Sequence, residues 1–135
     1  MHFSEIVAEA ELAAIRTIAD RIASGCEVRV IREPSPATVM VRNVDPLEKT
    51  PFHLGEIYVT DCEVEVDGEL GYSCVLGSER DRALYGAMID AVMHTESSVS
   101  EETMQRLDKA GCGVLEARAA ESSRVAATAV DFRTE

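Results

Sequence analysis

The sequence predicts an α+β fold: an antiparallel sheet of four to five strands with helices packed on one face, preceded by an N-terminal helix and followed by C-terminal helices. Three observations lead there. Strand-like runs are grouped together between residues 26 and 77 instead of alternating with helices, which argues against parallel βαβ units. Two runs rich in β-branched and aromatic residues, Glu56 to Val66 and Glu69 to Gly77, flank Asp67-Gly68, a strong hairpin signal. Immediately afterwards Leu84, Ala87, Met88, Ala91 and Val92 recur at helical spacing, so an amphipathic helix follows the hairpin and can lie on the sheet.

Taken in order, Ser4 to Ser24 reads as one alanine-rich helix, with Ser4 as N-cap and Gly25 placed to end it. Its apolar arc is broad, taking in Ile6, Val7, Leu12, Ile15, Ile18 and Ile22. Such a helix either docks on its own sheet or crosses to another subunit. Cys26 to Arg32 alternates like a half-buried strand, Pro34-Ser35-Pro36 breaks it, and Thr38 to Val44 reads as the antiparallel return. Asp45 to Pro51 is a polar loop leading into Phe52-His53-Leu54-Gly55-Glu56. For the hairpin, a three-residue Val66-Asp67-Gly68 loop with a bulge at Gly68 keeps the apolar residues of both strands together. It pairs Val64 with Leu70, Cys62 with Tyr72 and Thr60 with Cys74, and leaves Asp61, Glu63, Glu65 and Glu69 facing water or a basic partner. Ser78, with Asp81 three residues on, reads as the N-cap of the next helix, and Gly86 interrupts that helix at a cost of about 1 kcal/mol relative to Ala. From Ser100 the chain runs helical, pauses at Gly111-Cys112-Gly113 and resumes, and Ala126 to Phe132 reads as a fifth edge strand or an arm.

At 135 residues the chain has the length of one domain, able to bury a core without disulfides. Cys26, Cys62, Cys74 and Cys112 lie in apolar or small-residue surroundings with no Cys-x-x-Cys spacing, which suits reduced, buried thiols of a cytoplasmic protein. No secretory leader opens the sequence, and the apolar runs fall far short of the ~20 residues that span a bilayer. A formal charge of -12 repels phosphate backbones and anionic lipid, which argues against nucleic acid and membranes as partners.

The chemistry of an active site is sparse. His2, His53 and His94 stand far apart, none in an i, i+4 pair with a carboxylate or thiol, so no metal site is expected. Ser73 lacks the Gly-x-Ser-x-Gly frame of a nucleophile elbow, and Gly68, Gly71 and Gly77 do not form a phosphate loop. Glu56, beside His53, is the one carboxylate placed to serve as a base; the plainer reading is a cap or a surface ion pair. No catalytic, cofactor-binding or metal-ligating residue is assigned.

The ordered motifs Thr38-Val39-Met40-Val41-Arg42, Pro51-Phe52-His53-Leu54-Gly55-Glu56, Val59 to Val64, Asp67 to Tyr72, Val75-Leu76-Gly77 and Ala83 to Met93, closing with Val130-Asp131-Phe132, resemble the PhnG family. That family is the small G subunit of the carbon-phosphorus lyase core complex of bacterial phosphonate breakdown. The matching positions are Phe52, Gly55, Glu56, Thr60, Gly71, Tyr72, Gly77, Asp90, Asp131 and Phe132, carried over as motif or interface candidates. Three departures stand out: Asp61 where the family usually has arginine, Ser78 where arginine is common, and no glycine in the loop from Asp45 to Thr50. The resemblance implies an accessory subunit, assembling with the H, I and J subunits, and self-association is left open beside it. With the I subunit it would support transfer of phosphonate to the ribose of MgATP with release of adenine, MgATP being a substrate of the complex and no cofactor being held by this chain. The rival reading is a small stand-alone enzyme or ligand-binding domain using Glu56 and His53.

Overall fold

The structure, a computed structural model, describes residues 2–128. Helices α1 (Phe3–Glu9) and α2 (Leu12–Gly25) are followed by strands β1 (Val28–Val44), β2 (Pro51–Val66) and β3 (Glu69–Leu76), and then by helices α3 (Arg80–Met93) and α4 (Ser98–Thr128). The α+β expectation holds, but the described sheet has three antiparallel strands in the order β1-β2-β3, fewer than the four to five expected. The runs Cys26 to Arg32 and Thr38 to Val44 are not a hairpin: Cys26 caps α2, and from Val28 to Val44 the chain is one strand with Pro34-Ser35-Pro36 inside it. β1 pairs only with β2, so a proline there can turn its missing N–H toward the free edge, and register shifts between Val30 and Arg32 and between Arg32 and Ser35 absorb the irregularity. The expected fifth strand is also displaced: α4 continues through Thr128, and residues 129–132 lie outside the described ones.

The hairpin joining β2 and β3 is tighter than expected. Asp67 and Gly68, at φ 49° and 88°, form a two-residue turn, and Val66 pairs with Glu69, Glu65 with Leu70, Glu63 with Tyr72 and Asp61 with Cys74. Two positive φ values suit a primed turn, whose twist matches the strands. Helix packing explains the choice of face. Val64 pairs with Gly71, Cys62 with Ser73 and Thr60 with Val75, and a Cβ on Gly71 would stand 2.2 Å from the Ala87 carbonyl oxygen. Only small side chains fit beneath α3, so Leu70, Tyr72, Cys74 and Leu76 turn to the other face.

Under α3 lies the core: Cys62, Val64 and Val66 of β2 and Val75 of β3 meet Ala83, Ala87, Ile89, Ala91 and Val92, with Ile15, Ile18 and Ile22 of α2 packed in from beyond. The N-terminal helix breaks in two at Ala10, whose ψ is 157°. Arg82 of α3 makes this break tolerable. Its Nη1 donates to the carbonyl oxygens of Val7 and Ala10, each at 2.7 Å, satisfying acceptors that the end of α1 leaves without helical partners. The cap of α1 is His2, whose Nδ1 accepts from the Ser4 N–H at 3.2 Å, and not Ser4 itself. Nor does α4 pause at Gly111: the helix is continuous, and Gly111 sits against Ile6 of α1, where an added Cβ would come within 3.1 Å.

Candidate interaction surface

From Ile57 to Glu65, β2 keeps regular alternation, so Ile57, Val59, Asp61, Glu63 and Glu65 share the face turned away from α3. β3 adds Leu70, Tyr72, Cys74 and Leu76 to that face, all exposed. Its polar centre is built on Asp61. Arg32 Nη1 donates to Asp61 Oδ1 at 2.7 Å, Tyr72 Oη donates to Oδ2 at 3.2 Å, and Ser35 Oγ approaches Oδ1 at 3.4 Å. The Arg32 guanidinium holds the Asp61 carboxyl below its usual range, while partial burial, with the charge of Asp61 nearby, raises Tyr72. Beside this cluster, Arg29 Nη2 meets Glu65 at 2.6 Å.

Past Val59 the third strand ends, since Leu76 is the last partner of β2, and β1 and β2 run on as a bare two-stranded ribbon to Val44 and Pro51. Paired positions alternate between its faces, Val39 with Ile57 on one and Met40 with Glu56 and Thr38 with Tyr58 on the other. Val39, Met40, Phe52, Leu54, Ile57 and Tyr58 are all exposed, Tyr58 at 71%. At Val41 and Arg42 a register shift inserts one extra residue in β2, and Gly55 adopts φ 145°, a conformation that disfavours a side chain.

The positions carried over from the sequence separate into three groups. Thr60, Gly71, Gly77 and Asp90 build the junction that seats α3. Thr60 Oγ1 donates to the Gly77 carbonyl at 2.7 Å and accepts from the Glu79 N–H at 3.1 Å, which shapes the turn into α3 in place of the expected Ser78 cap. Asp90 Oδ2 accepts from the Tyr72 N–H at 3.0 Å and so covers part of the free edge of β3. Tyr72 links this junction to the open face, and Phe52, Gly55 and Glu56 lie on the ribbon. Asp131 and Phe132 fall outside the described residues. Glu56 and His53, the pair of the rival reading, are both exposed, paired across the ribbon with Met40 and Arg42.

Sequence reasoning missed Arg32, Ser35 and Arg82. A pair between β1 and Asp61 could have been proposed from charge alternation, had Pro34 and Pro36 not been read as a turn. The carbonyl clamp of Arg82 left no trace in the sequence, because its acceptors are main-chain atoms. The cysteines also divide against expectation: Cys62 is buried and Cys26 half-buried, whereas Cys74 and Cys112 are exposed. Among the described residues, no group of three or more His, Cys, Asp or Glu side chains is placed to hold a metal ion, and no helix is long and apolar enough to cross a membrane.

A sheet covered by helices on one face, whose other face and projecting ribbon carry exposed apolar side chains, belongs to a protein that works through contact with another molecule. The family model described as Phosphonate metabolism protein PhnG matches residues 1–134. The chain belongs to the PhnG family and thereby to phosphonate metabolism, as a component of the multisubunit carbon-phosphorus lyase complex. No curated protein matches the chain.

Proposed function

We propose that this chain is the accessory G-type subunit of the carbon-phosphorus lyase complex in the cytoplasm. In that role it binds the I-type subunit, in an assembly that also holds the H- and J-type subunits, and supports transfer of phosphonate to the ribose of MgATP with loss of adenine. One observation carries the reading: the ribbon and the open sheet face present apolar side chains at a concentration that a free-standing chain gains nothing from exposing. Here the family positions Thr60, Gly71, Gly77 and Asp90 set the frame, and Phe52, Glu56 and Tyr72 meet the neighbour. MgATP is a substrate of the complex in this account, and the reacting groups come from other subunits.

Co-expression with an I-type subunit, followed by size exclusion and an assay for adenine release from MgATP plus a phosphonate, tests the proposal. A co-eluting complex whose activity needs both chains is the expected outcome. Separate peaks would count against it, as would adenine release by this chain alone that disappears in a Glu56→Ala, His53→Ala double variant.

A further inference from the structure

Resting on the reading of the chain as an assembly subunit, we infer that the ribbon formed by residues 37–44 and 51–58 is its docking arm. The occupant is a different protein, one that offers an apolar lane bordered by lysine and arginine, and not a second copy of this chain.

The need for an occupant follows from the ribbon itself. Its paired length is roughly 25 Å at ~3.3 Å per residue, and neither face is covered by a helix: Ile57 stands 41% exposed on one side and Met40 56% on the other. A two-stranded ribbon in water is marginally stable, and exposed apolar strands invite pairing, so a chain that keeps one has a surface for it to meet. The β2 edge from Pro51 to Ile57 adds main-chain groups with no third strand beside them, because β3 stops opposite Val59 and the Gly77 N–H donates to the Tyr58 carbonyl at 2.9 Å.

Charge chooses between a second copy and another protein. Between Ala37 and Tyr58 two cations, Arg42 and Lys49, stand against three carboxylates, Asp45, Glu48 and Glu56, so almost all of the chain's net charge of -12 lies off the arm. The face of β2 that continues from Ile57 and Val59 carries Asp61, Glu63 and Glu65 in line; Arg32 and Arg29 engage Asp61 and Glu65, so one carboxylate of the row, Glu63, is left over beside a body of strongly negative charge. Two copies meeting through their arms would bring like-charged bodies together. A partner with basic residues flanking an apolar lane meets the arm by burial and the negative body behind it, with Glu63 at the root, by charge.

The test uses the whole chain, with the I-type subunit of the same source as the probe. Ile57→Asp and Phe52→Asp are compared with wild type and with Leu115→Asp, a control placing the same charge at an exposed apolar position on α4. Neither Phe52 nor Ile57 belongs to the buried core, so the variants are expected to unfold within a few degrees of wild type, checked by circular dichroism. The expected result is a complex for wild type and the control, at least a tenfold weaker Kd for each ribbon variant, and weakening of the wild-type complex as NaCl rises from about 0.05 to 0.5 M. A wild-type complex that both ribbon variants form equally well overturns the docking arm alone. Absence of a wild-type complex overturns the reading as this subunit, and the arm with it. A lone-chain dimer in sedimentation equilibrium that Ile57→Asp dissociates overturns the choice of occupant.

Discussion

Gly71 ties the register of the hairpin to the seating of α3. A Cβ there would approach the Ala87 carbonyl oxygen to 2.2 Å and the Ala91 nitrogen to 2.5 Å, and main-chain atoms of a packed helix cannot step aside. Gly71→Ala is therefore expected to cost about 3 kcal/mol, read as a lowered denaturation midpoint. Asp61 makes a different kind of contribution. Its pKa is depressed by Arg32, so its stabilising effect is complete above the unfolded aspartate value, near 4, and is lost as pH falls through the lower folded value. The Tm difference between wild type and Asp61→Asn should hold steady from about pH 7 to 5 and shrink below about pH 4; a gap unchanged into acid would remove Arg32 as the cause. Thiol reactivity follows exposure. Burial raises the Cys62 pKa and encloses its sulfur, so a thiol reagent should label Cys74 and Cys112 rapidly and Cys62 only on unfolding.

Among the elements, the first helix pair depends most visibly on another part of the chain. Arg82 holds the C-terminal end of α1 through two main-chain carbonyls and pairs with Glu79 at 2.5 Å, its own side chain only 14% exposed. Arg82→Ala strands those carbonyls and should cost about 2 kcal/mol, with hydrogen exchange accelerating in α1 before α3. How far the elements were legible also divides here. The helical period of Leu84 to Val92 and the place of the hairpin at Asp67-Gly68 were plain, because both follow from local spacing; the loop length was not, being two residues where three were expected. The face of β3 was not, since counting apolar residues favours burying Leu70, Tyr72 and Leu76, whereas the decisive fact was the closeness of α3 over Gly71. For β1 the prolines misled for a similar reason: they break an interior strand, and the sequence carries no mark that this strand is an edge.

For the whole molecule, the ordered motifs conveyed the family and the α+β class, while composition conveyed an acidic chain poorly suited to nucleic acid. Neither could reveal that Thr38 to Val44 and Phe52 to Tyr58 leave the body as one uncovered ribbon, because that depends on where β3 ends. Central to the proposed role is a ribbon that is bare in the lone chain and covered in the assembly. Hydrogen exchange measures this directly, amide by amide, in residues 38–44 and 51–58 with and without the I-type subunit. Rapid exchange is expected in the lone chain, against slow exchange at Cys62, Val64 and Val66, and strong protection of the ribbon in the complex. Ribbon amides that exchange at the same rate in both states would contradict it.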